Sequence, residues 1–360
     1  MIARWEVGSE FHWSDDAFKL SSENLLPEKY ELFSTATGTL LGIERLLRGD
    51  RDRLRMHLPT YFCMEVAANI SQAFELCWYQ DLPAELSPDF NTLYALPGDL
   101  VLAVNLFGVR EAKVWQDWRT QNQHITLIED HSHDPFSLWA RESTADYAIA
   151  SLRKTLPIPD GGMIWSGQKM ELPRPAKSES FAGAKKLTAM LLKRAYLMGA
   201  DISKDNYRVI QTEGEEELSI DGDRSVSSIT KNILGSLNIS EMRKQRASNT
   251  RKFLDIILKE KHEIYQPLFM NWSEDSVPFN SILLCKNHKI RQELRRFLIA
   301  HNIFAPVHWP QPPDKLSGKD SQALDLSNRL LTIPTDHRYS SQDIECVAAK
   351  VSEFTKNYLP

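Results

Sequence analysis

Cysteine is scarce in this 360-residue chain: Cys63, Cys77, Cys285 and Cys346 lie far apart, and no C-x-x-C pair occurs. That spacing argues against a cysteine-based structural zinc site, and a disulfide framework is not required. Long apolar runs are missing as well. No stretch reaches the roughly 20 residues of a membrane-spanning helix, and the opening MIARWEVGSEFHW lacks the apolar core of a secretion signal. Neither sign of charge dominates. With 43 Lys and Arg against 48 Asp and Glu, the net charge is −5 and the pI is near 6.1. Such a balance offers no electrostatic pull toward nucleic acid or an anionic membrane. There are no internal repeats and no low-complexity tracts. What is present is ordinary globular material, 42% hydrophobic and 25% charged, long enough for two unequal domains. A soluble, cytoplasmic protein is the expectation.

Residues 1–30 are mixed and aromatic, with Trp5, Phe11, Trp13 and Phe18, and read as an N-terminal arm that packs on the main body or on a partner subunit. Next comes Ser34-Thr35-Ala36-Thr37-Gly38-Thr39, followed by Leu40, Leu41, Ile43, Leu46 and Leu47 at helical spacing. Small hydroxylated residues at a helix start leave amides that can hold an anion; they equally make an ordinary Ser/Thr cap. Strand-like runs then alternate with helical ones. Leu54–Leu58 and Phe74–Tyr79 read as strands, Met64–Ala73 as a helix, Asp99–Phe107 as a buried strand, and Glu111–Asn122 as a helix with Val114, Trp115 and Trp118 inward. Alternation of this kind predicts crossover units and a parallel or mostly parallel sheet, with ligands bound beyond the carboxyl ends of its strands.

Beyond the Pro- and Lys-rich stretch at 172–180, Leu187, Met190, Leu191, Ala195 and Met198 mark a helix whose Met and Leu residues are core. The acidic segment Asp201–Asp223 reads as an exposed excursion, continued to Ser228 as a long loop from which Tyr207 and Arg208 can reach a neighbouring subunit. A long helix over Ile239–Lys259, with Met242, Arg246, Asn249, Phe253 and Ile257 on one face, links to a small α+β region. That region holds a strand at Ser281–Cys285, a helix at Ile290–Ile299 and an extended piece at Phe304–Trp309. It closes with a helix capped by Ser340-Ser341-Gln342-Asp343. His308, Trp309 and Arg338 are pocket candidates by their place in this region.

The chemistry concentrates between Glu129 and Gly162. A short β-branched run, Ile125–Ile128, stops at Glu129 and Asp130, and His133 stands three residues further on. A second strand-like run, Asp146–Leu152, leads through Ser151 to Lys154 and then to a Pro-rich turn ending in Gly161-Gly162. A lysine amine can form a Schiff base with an aldehyde, and an aspartate can hold a pyridinium nitrogen protonated. Strand-end Asp residues are also commonly caps, and loop lysines commonly solvated. The alternative use of this stretch is a metal site on His131, His133 and Asp134, serving a hydrolase.

Taken together, these motifs resemble the pyridoxal-phosphate-dependent aminotransferases of fold type I, and most closely the DegT-type sugar aminotransferases. The likeness lies in the strand-end Glu129-Asp130, His133 where the family has Gln or His, and Lys154 before Gly161-Gly162. It extends to the Gly38-Thr39 turn, to Leu58-Pro59-Thr60-Tyr61-Phe62-Cys63, and to Ile333-Pro334-Thr335-Asp336. His131-Ser132, where the family has small residues, and the Ser-Leu-Arg-Lys-Thr-Leu-Pro wording around Lys154 depart from the pattern and weigh against naming a sugar substrate. The resemblance implies a three-layer α/β/α fold with a mostly parallel sheet and a small C-terminal α+β domain. It divides the chain into an arm (1–30), a large cofactor-binding domain (31–238), and a linker helix with the small domain (239–360).

The same resemblance implies pyridoxal 5'-phosphate as cofactor, with Lys154 as the Schiff-base lysine and proton carrier, and Asp130 on the pyridinium nitrogen. His133 would lie on the phenolic oxygen, and Gly38, Thr39 and Ser151 on the phosphate. Tyr61 or Phe62 would stack on the ring, and His131 would contact either cofactor or substrate. An amino donor, a carbonyl acceptor such as a nucleotide-linked keto-sugar, and a homodimer with shared sites follow from it; nucleic acid, membrane and metal do not. The same core residues would serve a decarboxylase, aldolase, racemase or dehydratase. A cofactor-fold protein without turnover is a third reading, against which the retained lysine speaks.

Overall fold

Runs rich in Val, Leu and Ile that are too short for helices form the centre of the molecule, because a strand buried on both faces must be apolar throughout. The computed structural model describes residues 3–18, 23–260, 262–311 and 320–358. In chain order, β1 (Val7–Gly8) is followed by β2 (Glu31–Phe33), α1 (Ala36–Leu47), β3 (Leu54–Pro59), α2 (Met64–Ile70) and β4 (Phe74–Tyr79). Next are β5 (Leu100–Val104), α3 (Ala112–Gln121), β6 (Thr126–Asp130), α4 (Leu138–Arg141), β7 (Tyr147–Ser151) and β8 (Gly162–Trp165). Four helices follow, α5 (Ala182–Leu197), α6 (Lys204–Ile220), α7 (Ser228–Leu234) and α8 (Ile239–Ile257). The remainder contains β9 (Tyr265–Pro267), β10 (Ser281–Cys285), α9 (His288–Ala300), β11 (Ile303–Phe304), α10 (Ser321–Arg329), β12 (Leu330–Ile333) and α11 (Ser341–Tyr358).

Seven strands make one sheet in the order β2-β8-β7-β6-β5-β3-β4. From β4 across to β7 all neighbours are parallel, while β8 is antiparallel to both its neighbours, β7 and the edge strand β2. All five residues of β5 are buried. The register aligns Val104 with Asp130 and Asp130 with Ile149. Asp130 therefore stands on the carboxyl edge of the sheet, where crossover topology leaves a crevice. The fold is the expected α/β architecture with helices flanking a mostly parallel sheet. A second sheet, β12-β10-β9, is antiparallel. It shares a core with α8, α9 and α11 through Phe253, Leu294 and Val347.

Three expectations need revision. Asp99–Phe107 is strand only to Val104. Phe107 and Gly108 then take positive φ (56° and 77°) in a 3-10 turn that closes the strand. The extended piece at Phe304–Trp309 is strand only at Ile303–Phe304. The acidic stretch 201–223 is not an excursion: Lys204–Ile220 is α6, packed along α5. Its buried Tyr207, Gly214 and Leu218 lie at helical spacing, and its glutamates face cations of α5, as in the Lys185–Glu217 pair. Tyr207 is 2% exposed and packs on Tyr196 of the same chain, so it does not reach outward.

The N-terminal segment does pack on the body. Val7 pairs with Ile303 in a parallel bridge between β1 and β11, and Trp5 Nε1 donates to Asp343 at 2.8 Å. We propose residue 239 as the domain boundary. From there α8 faces both bodies: its Arg243 grips Asp134 near the large sheet, while Asn249 donates to the Asp336 carbonyl beside the small one.

Candidate active site

Every side chain from Glu129 to Asp134 makes a hydrogen bond that helps hold this turn in one shape. Asp130 Oδ1 accepts the Ser132 amide at 2.8 Å, a local turn that lets the chain leave β6. Ser132 Oγ accepts the Ser151 amide at 2.8 Å, tying the end of β6 to the end of β7 and thereby Asp130 to the Lys154 segment. Asp134 is fully buried. It takes two hydrogen bonds from Arg243 (3.1 and 2.9 Å) and one from the Val277 amide (2.8 Å). A buried carboxylate is stable only when its acceptor sites are filled in this way.

His131 and His133 occupy different surroundings. His131 bonds Glu129 at 3.1 Å and lies between Trp139 and Trp165 in the core. His133 packs on Phe107, Phe279 and Trp309. Among the described residues there is no group of three or more His, Cys, Asp or Glu able to hold a metal. The two histidines thus lie in separate surroundings, and His131 is a core residue rather than a pocket one.

His133 is set up as a donor. Its Nδ1 accepts the Phe107 amide at 2.9 Å, so that nitrogen carries no proton and the neutral ring bears its hydrogen on Nε2. Burial, then the charges of Lys154 and His308, hold its pKa well below the ordinary histidine value. The Nε2–H is buried and has no partner among the described residues. Beside it, the Lys154 ammonium lies 5.2 Å from the centre of the Trp309 ring, and makes no hydrogen bond or ion pair with the described residues. His308 bonds Thr332 at 2.8 Å, and burial together with Lys154 lowers its pKa to about 3. A neutral donor thus lies near the Lys154 ammonium, while Asp130 ends the strand beside the one that leads to Lys154.

Tyr61 and Phe62 pack against Trp309, at 5.9 and 6.4 Å between ring centres. The Tyr61 hydroxyl donates to the His308 carbonyl. Lys154 thus lies over the Trp309 ring, from the C-terminal region, and Tyr61 and Phe62 pack on that ring. Gly38 and Thr39 lie at the start of α1, which packs on the Gly161-Gly162 turn; Gly161 donates its amide to the Ser34 carbonyl at 2.9 Å. The Gly38 amide is taken by Thr35 Oγ1 at 3.1 Å, and the Thr39 hydroxyl donates to the Ala36 carbonyl at 2.6 Å. A Cβ on Gly38 would lie 1.9 Å from the Gly222 carbonyl oxygen. This helix start is closed by backbone, whereas the Ser151 hydroxyl is open to the cavity beside Lys154.

That cavity, about 460 Å³, opens between the N-terminal segment, α5, α9 and the strand ends. Of the pocket candidates in the C-terminal region, His308 and Arg338 line it and Trp309 does not. Arg295 and Phe107 carried no signal in the sequence, since Arg295 sits on an amphipathic helix like any surface arginine. Arg246 is buried on α8, and its Nη2 donates to the carbonyl of Thr155, next to Lys154, at 3.1 Å.

No protein-family model and no curated protein matches the sequence. Solved structures do. Spr1654 of Streptococcus pneumoniae in its PLP-form superposes with a TM-score of 0.66 at 12% identity, covering 99% of this chain and 100% of that one. The aminotransferase PseC of Helicobacter pylori, involved in the biosynthesis of pseudoaminic acid, gives 0.63 at 12% identity over 92% and 88%. DesV of S. venezuelae, in complex with a ketimine intermediate, gives 0.61 at 14% over 91% and 85%. The likeness is one of fold: this chain has the three-layer architecture of those aminotransferases along nearly its whole length.

Proposed function

We propose that the chain is a pyridoxal 5'-phosphate-dependent aminotransferase, moving an amino group from an amino-acid donor to a small carbonyl acceptor, of which a nucleotide-linked keto-sugar is one form. The observation that carries this reading is the unpartnered Lys154 ammonium beside the unpartnered Nε2–H of His133, with Asp130 at the neighbouring strand end. These residues fit the ring end of the cofactor. Lys154 would hold it through Nζ and, when released, carry a proton at the substrate carbon. Asp130 would face the ring nitrogen, and the His133 Nε2–H would donate to the phenolic oxygen. Ser151 offers a hydroxyl to the phosphate, and Trp309 an aromatic surface. The first turn of α1 is closed by Thr35 and Gly222, so Gly38 and Thr39 support this reading through packing rather than through free donors. When bound, the cofactor supplies the electron sink that stabilises negative charge on the substrate carbon.

The test is chemical labelling. Protein incubated with pyridoxal 5'-phosphate and reduced with borohydride should carry the pyridoxyl group on Lys154, and Lys154→Ala should carry none. A label confined to other lysines would overturn the assignment.

A further inference from the structure

Helix α8 touches both of the segments that carry the site. Its Arg243 holds Asp134, one residue past His133, through two hydrogen bonds at 3.1 and 2.9 Å. Three residues on, Arg246 holds the carbonyl of Thr155, one residue past Lys154, at 3.1 Å. After three more, Asn249 donates to the carbonyls of Asp336 and Tyr339, both at 2.9 Å. Residues at this spacing are neighbours on a helix surface and advance about 4.5 Å per step. Arg246 is the unusual member. It is 2% exposed, and its Nη1 has no partner among the described residues. Burial pulls its pKa below the ordinary arginine value, against the opposing charges of Asp134 and Asp336. Both of those carboxylates are already clasped, by Arg243 and Arg338. A buried guanidinium is costly, and a methionine would fill similar space without that cost. What the guanidinium adds is the bond to Thr155 and the direction it imposes.

That bond falls where the local backbone holds itself least. Leu152–Lys154 is a single 3-10 turn, and Thr155, which caps it, leaves helical geometry at φ −126° and ψ −15°. The amides of Thr155 and Leu156 both turn back on the Leu152 carbonyl, at 3.1 and 2.9 Å. Carbonyls at the end of so short a turn have no partner inside it, and Arg246 supplies one for Thr155. We propose that Arg246 is a positioning residue for Lys154: by fixing the Thr155 carbonyl one step along α8 from where Arg243 fixes Asp134, it sets the amine in place against the His133 donor. This goes beyond the aminotransferase reading and rests on it only for the role of Lys154. Misplacing a reacting group by about 1 Å can cost about a hundredfold in rate, so a bond remote from the reacting atom can govern it.

Two readouts on the full chain test it, compared among wild type, Arg246→Met, Arg246→Gln and Arg246→Lys. The first is hydrogen–deuterium exchange of the protein without cofactor. Peptides covering the turn from Leu152 to Leu156 should exchange about tenfold or more faster in the Met and Gln variants, with β6 and β7 unchanged. The second is the rate at which added pyridoxal 5'-phosphate is trapped on Lys154 by borohydride, read by peptide mapping. That rate should fall about tenfold or more in the same two variants, and Arg246→Lys, whose side chain is one bond shorter than arginine, should lie between. Ile70→Ala, a core deletion on α2, controls for lost stability: it should lower Tm and leave both readouts at wild-type values. Wild-type exchange and labelling in a folded Arg246→Met would overturn the proposal, as would losses that Ile70→Ala reproduces. Faster exchange with an unchanged labelling rate would overturn it too, leaving Arg246 a role in stability alone. If neither the Met nor the Gln variant folds, Arg246→Lys decides, and a wild-type rate there overturns the proposal. Absence of label on Lys154 in wild type is a separate outcome: it sinks the aminotransferase reading, and unchanged exchange would then overturn the role of the Thr155 bond by itself.

Discussion

Replacing Gly162 by alanine places a Cβ 2.1 Å from the Thr35 carbonyl oxygen, 2.2 Å from its carbon and 2.5 Å from the Ala36 nitrogen. Unbonded heavy atoms meet at roughly 3.5 Å, so the shortfall is about 1.4 Å. The obstacles are backbone atoms at the start of α1, pinned by the Gly161 amide on Ser34, and cannot rotate aside as a side chain would. Overpacking of a close-packed interior costs about 1–3 kcal/mol, and rigid backbone on the opposing side puts this case at the upper end. With unfolding entropy near 2.1 cal/mol/K per residue, a 360-residue chain loses roughly 1.3 °C of Tm per kcal/mol, hence about 4 °C for Gly162→Ala. Gly235→Ala is the matched control. Gly235 has φ −71° and nothing within 4 Å of an added Cβ, so its Tm should hold or rise slightly. Differential scanning calorimetry on both variants reads the contrast. A Gly162→Ala protein melting within about 1 °C of wild type would refute the packing of α1 on this turn.

Asp130→Asn should still take up some pyridoxal 5'-phosphate but lose most transamination, since an amide can hydrogen-bond yet cannot keep the ring nitrogen protonated; near wild-type turnover would make Asp130 a strand cap only. Acid should weaken the fold through Glu215. Burial alone would raise this carboxyl, but Arg153 and Lys186 win and hold it well below the ordinary value of 4.5. A depressed folded-state pKa stabilises above the unfolded value, and that contribution disappears as pH falls through the folded one. The urea midpoint of wild type should therefore exceed that of Glu215→Gln at neutral pH, with the gap narrowing below pH 4.5; a gap constant with pH would contradict the ion network. Light scattering should give twice the chain mass, as expected for a homodimer, and a monomer carrying full activity would remove the shared-site proposal.

The pattern between Glu129 and Gly162 was legible because it depends on strand ends, where side-chain type and spacing translate directly into position. Two correctly read strands were enough to put Asp130 and Ser151 at neighbouring strand ends, with Lys154 just beyond. The two glycines were legible for the same reason, Gly161 with φ +135° and Gly162 with no room for a side chain. By contrast, α6 was hidden by its acidity. Its buried stripe is thin, with Tyr207, Gly214 and Leu218, and Glu215 pairs with Arg153 and Lys186 while staying partly exposed. The closure of α1 by Gly222 and the approach of Trp309 and Arg295 to the Lys154 region depend on contacts between segments far apart in the chain. No local periodicity encodes such meetings.

The parallel pairing of β1 with β11 joins Val7 to Ile303. During synthesis the first of these residues leaves the ribosome 296 positions ahead of its partner. At roughly 5–20 residues per second that interval lasts about 15–60 s. Gly8, which walls the cavity, therefore waits for Phe304 long after the seven-stranded sheet is complete, whereas Ser9 and Glu10 meet Lys193 and Lys186 of α5 much earlier. An incomplete chain truncated before Ile303 would hold the large sheet and Lys154 but lack its partner for β1, leaving the amine exposed without the selective enclosure that governs what reaches it.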